Sequence, residues 1–291
     1  MGELAFVDTH VHFNDFKLKP ELQWSWLDVD FVHPVIGDID GIKTEKYTAP
    51  EFQGESRFSN VTKVVHIQSA IGTPDPVAET VWLERMADKH GLPNAIVGEA
   101  RLQRPEARET LERHAQHPHV RGVRDFGDHP DYLTDPAFER GYALLEEYRF
   151  LYDLDCVWET MGAARDLAGR HPGTTMVVEH AGWPRARSPS YFEDWSRALR
   201  DLAQVENVVV KISGLGMSDP RWTIDSLRPW ILECIDAFGV DRAFFGTNWP
   251  VDRLFSSYPD VINAYAAIIS DFALDEQLSM FSANAERIYA I

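Results

Sequence analysis

The chain has 291 residues, 44% of them hydrophobic and 25% charged, the balance of a folded water-soluble protein long enough for one large domain or two ordinary ones. Lys and Arg number 28 against 46 Asp and Glu, a formal charge of −18, and with no basic run to offset it this excludes a nucleic-acid partner. Two cysteines, no basic leader and no apolar run near the roughly 20 residues of a membrane span argue against a disulfide scaffold or a membrane protein and for a cytoplasmic one.

Short apolar runs with β-branched or aromatic character recur along the chain, at residues 4–7, 64–67, 95–98, 120–123, 150–154, 176–178, 208–212 and 243–246. Such continuous runs suit parallel strands covered on both faces. The segments between them read as helices. Asp75-Pro76 offers a cap and a first-turn proline, with Gly91 as the stop; Phe192, Trp195, Leu199 and Leu202 keep helical spacing, as do Leu227, Ile231, Cys234, Ile235 and Phe238 before Gly239. Eight alternating units fit a doubly wound sheet or a closed barrel. The absence of a G-x-G-x-x-G turn and of a P-loop favours an α/β fold of the (β/α)8 TIM-barrel type, one domain over 1–291.

One connection is anomalous. About fifty residues separate the first run from the second, where such loops usually have two to six. This 14–60 segment carries Trp24, Trp26, Phe31, Tyr47 and Phe52. In a barrel it follows a strand on the catalytic face, so it is expected to cap the mouth, with Trp24 or Trp26 facing a substrate and the other aromatics packing.

The most informative residues are Asp8-Thr9-His10-Val11-His12. Residues two apart on a strand share a face, so His10 and His12 would converge on one cation or one oxyanion. Among eleven histidines such a pair also arises by chance, and its place at the end of the first strand is what lends it weight. This motif resembles the opening signature of the amidohydrolase superfamily, and more narrowly of the amidohydrolase-related branch that includes sugar-lactone and pyrone-dicarboxylate lactonases. Val-Arg-Gly-Val-Arg at 120–124, Val-Glu-His-Ala-Gly-Trp-Pro at 178–184, Val-Lys-Ile-Ser-Gly-Leu at 210–215 and Phe-Gly-Thr-Asn-Trp-Pro-Val at 245–251 extend the likeness along nearly the whole chain.

The resemblance implies a hydrolase with its site at the C-terminal ends of the strands, His180 facing the mouth and Arg124 binding a substrate carboxylate. It also shows two departures. The fourth strand ends in arginine where two-metal members carry a carboxylated lysine, which argues against a binuclear centre. Asn248 stands where most members place an aspartate that serves as general base, and an amide cannot take that proton. Glu159, after the fifth strand, is the expected substitute base or a metal ligand, equally readable as a solvated loop glutamate; Asp252 is a weaker candidate.

The resulting expectation is a lactone or related cyclic ester or amide hydrolase acting on a small, carboxylate-bearing molecule, with His10, His12, Glu159, His180 and Asn248 as catalytic residues. His10 and His12 polarise the carbonyl, with at most one weakly held divalent ion, zinc or manganese. A metal-dependent decarboxylase and a catalytically silent ligand-binding barrel remain as alternatives, and a homo-oligomer is compatible with the sequence.

Overall fold

The computed structural model describes residues 4–291. Eight parallel strands follow one another in chain order around a nearly closed barrel: β1 (Phe6–Val11), β2 (Val61–Ile67), β3 (Ala95–Glu99), β4 (Val120–Arg124), β5 (Leu151–Leu154), β6 (Met176–Val178), β7 (Val208–Ile212) and β8 (Ala243–Phe245). Each apolar run of the sequence forms one of these strands. The seam between β1 and β8 is stitched at the mouth, where the Trp249 N–H donates to the His10 carbonyl (3.2 Å) and the His12 N–H donates to the Trp249 carbonyl (2.8 Å). Lower down, the Thr9 hydroxyl donates to the Phe245 carbonyl at 2.7 Å.

Helices wrap the outside: α1 (Ala49–Ser56), α2 (Ala78–His90), α3 (Ala107–His114), α4 (Pro136–Tyr142), α5 (Leu145–Tyr148), α6 (Met161–Arg170), α7 (Pro189–Ala203), α8 (Ile224–Phe238), α9 (Tyr258–Ile268), α10 (Leu274–Leu278) and α11 (Asn284–Tyr289). Helix α2 begins at Ala78, later than Asp75-Pro76 suggests, because the Asp75 carboxylate accepts from the Val77 N–H and closes a turn first. Gly91 stops it in the left-handed conformation (φ 74°). Among the described residues no helix is long and apolar enough to cross a membrane.

The barrel interior is layered. Val7, Val65, Val97, Val177, Val209 and Phe244 form an apolar floor, sealed by Ala285 and Tyr289 of α11. Above it lie buried charges: Lys211 pairs with Asp153, which also accepts from the Tyr289 hydroxyl (3.1 Å), and Arg124 pairs with Glu179 at 2.9 Å. The imidazoles of His10, His12 and His180 form the next layer.

The segment between β1 and β2 folds as a short antiparallel pair, Asn14–Asp15 with Lys46–Tyr47, and three 3-10 turns. Its buried Leu22, Trp24, Leu27, Ile39 and Ile42 pack on Ala70, Trp183, Met217 and Val251, which come from the loops after β2, β6, β7 and β8. This apolar contact packs the segment against those four loops.

Candidate active site

A bulge aims the histidine strand. Opposite β2, Asp8 pairs with Val64 and Val11 with His66, so β1 carries one extra residue there. Val7 lies in the axial floor, and strict alternation would carry Thr9 to the same face. The extra residue reverses the parity and brings His10 to the axis, 3.6 Å through Nδ1 from Glu179 Oε1. Asp8 anchors the bulge by accepting from the Thr247 N–H (2.9 Å), the Thr247 hydroxyl (2.6 Å) and the Tyr258 hydroxyl (2.9 Å).

His10 Nε2 and His12 Nε2 lie 3.1 Å apart. His12 Nδ1 is 2.9 Å from the Ile67 carbonyl, an acceptor only, so Nδ1 carries the proton and Nε2 presents a lone pair. Neutral His10 then donates from Nε2 to His12, and its own Nδ1 lone pair faces Glu179 Oε1. Both of these atoms are buried without a hydrogen-bond partner. Burial, with neighbouring His180 and Lys211 for His10 and Arg124 for His12, holds both imidazoles well below their usual pKa, so they are neutral.

A divalent ion fits this donor set. His10, Glu179 and His180 offer ligand atoms within 4.8 Å of one another, and His12 adds the adjacent Nε2. With both Nε2 lone pairs given to a cation, His10 Nδ1 regains its proton and aims it at Glu179, which gives both orphaned atoms a partner. Glu179 suits that role. Burial opposes its charge, but Arg124 and Lys211 outweigh burial and keep it ionised.

His180 follows β6 in the left-handed conformation (φ 53°) and is held by a 2.9 Å hydrogen bond between its Nδ1 and the Ser213 hydroxyl. Burial lowers its pKa to about 4, against the pull of Glu179. Gly214 leaves room for this ring: a Cβ there would sit 2.6 Å from His180 Nδ1, at a φ of +62°. Asn248 is also left-handed (φ 60°), and its Nδ2 donates to Asp252 at 2.8 Å. Two strained residues facing one space is a pattern of functional sites.

That space is a cavity of about 410 Å³, lined by His12, His180, Asn248, Arg124 and Asp155 at its base. Its upper wall comes largely from the β1–β2 segment, including Trp26, Phe31, Ile36 and Ile42.

Three expected site residues stand elsewhere or are already engaged. Glu159 is exposed, in the 3-10 turn Trp158–Thr160, and does not line the cavity, because that turn carries its side chain outward. Trp24 is fully buried and does not line it either; its indole N–H donates to the Phe13 carbonyl (3.1 Å) and fixes the insertion to the barrel. Arg124 lines the cavity, but its charge is paired with Glu179 and four of its five N–H groups go to Glu179 and to the Gln68 carbonyl and side chain, so it is not a free bidentate anchor for a substrate carboxylate. Trp26 does line the cavity, with its indole N–H on the Ser69 carbonyl at 2.8 Å.

The sequence reading missed Asp155, four residues before Glu159. It is the one carboxylate among the described residues lining the cavity. Half-buried, it keeps Oδ1 shielded and without a hydrogen-bond partner. Burial and the nearby Glu179 push its pKa up to about 6, against Arg124 and Arg185. Its position directly after β5 was the available signal. Asp252, the weaker candidate base, is buried against Asn248.

The amidohydrolase family pattern matches residues 7–291. An uncharacterised protein, y4mH, of Sinorhizobium fredii is 34% identical over the full length of both chains. An L-fucono-1,5-lactonase of Burkholderia multivorans is 26% identical, over 100% of this chain and 97% of that protein. The crystal structure of an amidohydrolase from Burkholderia multivorans with bound zinc superposes with a TM-score of 0.84 at 24% identity, covering 99% of each chain. With the match spanning the barrel from β1 to its last residue, the chain belongs to the amidohydrolase family.

Proposed function

We propose that the protein hydrolyses a lactone or a closely related cyclic ester, with Asp155 as general base. The observation that carries this reading is the placement of a single carboxylate, with one unpartnered oxygen and a pKa near 6, in the same cavity as His180, His12 and Asn248. The lactonase among the relatives supports the substrate class.

Asp155 takes a proton from water as the water oxygen bonds to the carbonyl carbon. Charge develops on the former carbonyl oxygen. The second N–H of the Asn248 amide, not used on Asp252, and the outward Nε2–H of His180 meet it when the Ser213 hydroxyl donates to Nδ1. The ring C–O bond then breaks, and the leaving alkoxide takes the proton from Asp155, giving a hydroxy acid. A divalent ion on His10 and His12 would supply a Lewis acid for the carbonyl. Without an ion the His10 Nε2–H is used on His12 and the His12 Nδ1–H on Ile67, and an ion would take both Nε2 lone pairs, so neither neutral ring has a free N–H for the carbonyl, contrary to the direct polarisation expected of them. The β1–β2 segment acts as the cap that keeps bulk water from the carbonyl.

The test is a lactone panel followed with a pH indicator, with carbon dioxide release measured in parallel. Ring opening that is lost in Asp155→Asn supports the proposal. Silence across all lactones, or carbon dioxide release in place of acid, overturns it.

A further inference from the structure

The wall of the cavity bears on which lactone. Eleven of the nineteen lining residues are apolar, Trp26, Phe31, Ile36, Ile42, Ile71 and Met217 among them. Three polar members of the wall are already engaged, which leaves the Ser25 hydroxyl and the second ring nitrogen of His33 for a substrate. The Ser69 hydroxyl donates to Phe13 or Glu79, the Trp26 indole donates to Ser69, and His33 Nδ1 accepts from the Val35 and Ile36 amides. A polyhydroxylated ring placed here would lose water from its hydroxyls and find few partners, which costs affinity hydroxyl by hydroxyl. The Trp183 indole N–H is buried without an acceptor and suits one ether or carbonyl oxygen, not a ring of hydroxyls.

Charge points the same way. The one cation lining the cavity among the described residues, Arg124, is neutralised by Glu179 and stacked on Phe126 at 4.8 Å. Arg185, exposed and stacked on Trp183, is not part of the lining. Within the lining a substrate carboxylate would face Asp155, and taking Arg124 would strip a fully buried Glu179 of its hydrogen-bonded counterion; Arg185 acts on Asp155 and His33 only from outside the lining.

We infer that the cavity selects a neutral lactone bearing an alkyl or aryl substituent, and discriminates against sugar lactones and lactones carrying a free carboxylate. This rests on the lactone-hydrolase reading, deepens it, and sets the chain apart from its L-fucono-1,5-lactonase relative.

The experiment measures kcat/KM for the full chain along a series from δ-valerolactone to δ-decalactone, beside L-fucono-1,5-lactone and a lactone dicarboxylate. Each added methylene buried on the wall should raise kcat/KM about three- to fourfold until the cavity fills. Ile36→Asp should flatten that slope, whereas Val29→Ser, at an exposed position outside the lining, should keep it. A flat or falling series, or faster turnover of the sugar lactone or the dicarboxylate, overturns the inference while leaving lactone hydrolysis in place. Binding of the matching alkyl δ-lactams, followed by calorimetry, separates the two readings. Lactam affinity that climbs with chain length in a protein that opens no lactone upholds the apolar site and defeats the hydrolase. Lactam affinity indifferent to chain length defeats the apolar site.

Discussion

The amide of Asn248 and the carboxylate of Asp252 are partners, joined at 2.8 Å in a buried setting that pushes the Asp252 pKa up to about 7. An aspartate at position 248 would face that carboxylate directly, and two carboxyl groups at this distance hold one proton between them. Asn248→Asp is therefore expected to destabilise the fold by about 1–3 kcal/mol above pH 7, without raising kcat. Urea titration and lactone turnover check it; a more active variant at pH 7 would show that a base belongs at 248 after all.

Asp155 is expected to supply the acid limb of the activity profile. A base works deprotonated, so kcat/KM should rise as pH climbs through about 6, the value to which burial lifts this carboxyl. Asp155→Asn should remove that limb and lower kcat by about 10²–10⁴, while Glu159→Gln, at an exposed position, should leave both unchanged. A persistent limb in Asp155→Asn would assign it to another group.

Metal content is expected to be at most one divalent ion per chain. Among the described residues a single cluster offers His and carboxylate ligands, and the fourth strand ends in Arg124 with no lysine to bridge a second ion. Elemental analysis of untagged protein, before and after chelator, measures it. His10→Asn and His12→Asn should each empty the site, and two ions per chain would contradict the argument.

Stability should fall as pH rises from about 4 to 7. Burial raises Asp252 from 3.8 to about 7, so across that window the folded state keeps a proton that the unfolded chain has released. The sign is the reverse of a salt-bridged carboxylate. The shift corresponds to up to about 4 kcal/mol. Asp252→Asn, which keeps an acceptor for Asn248, should flatten the slope in denaturant titrations at pH 4, 5.5 and 7; an unchanged slope would place the titration elsewhere, for instance on Glu99, also raised to about 7 by burial.

Gly214→Ala tests how tightly His180 is seated. Its Cβ would lie 2.6 Å from His180 Nδ1 and 2.7 Å from Met217 Cε. Loss of about 1–3 kcal/mol of stability together with a drop in kcat is expected. A stable variant of full activity would show that the ring has slack.

The eight strands were legible because a parallel barrel buries both faces of each strand and leaves an unbroken apolar run in the sequence. His10, His12 and His180 stood out by chemistry and position, and the structure brings their rings together. Pairing was not legible. Nothing local to Val120–Arg124 says that its last guanidinium is consumed by Glu179, 55 residues away. The choice between Asp155 and Glu159 turned on how the chain leaves β5, where a turn of four residues separates a carboxylate facing the cavity from one in solvent. Trp24 and Trp26 differ in the same way, by which side of one 3-10 turn each side chain takes.

The stitching of the barrel seam has a consequence for how the protein is made. Of the eight strands, the one that carries His10 and His12 is synthesised first, yet its mouth end is held by Trp249, and Asp8 beneath it by Thr247, 239 residues later. Until that last stretch is synthesised, the histidine strand has only one neighbour in the barrel, β2, and no cavity exists to bind anything. The candidate site thus comes together in a single late event, when β1 meets the stretch after β8, and a ribosome that stalls before residue 249 is expected to release no partially active enzyme.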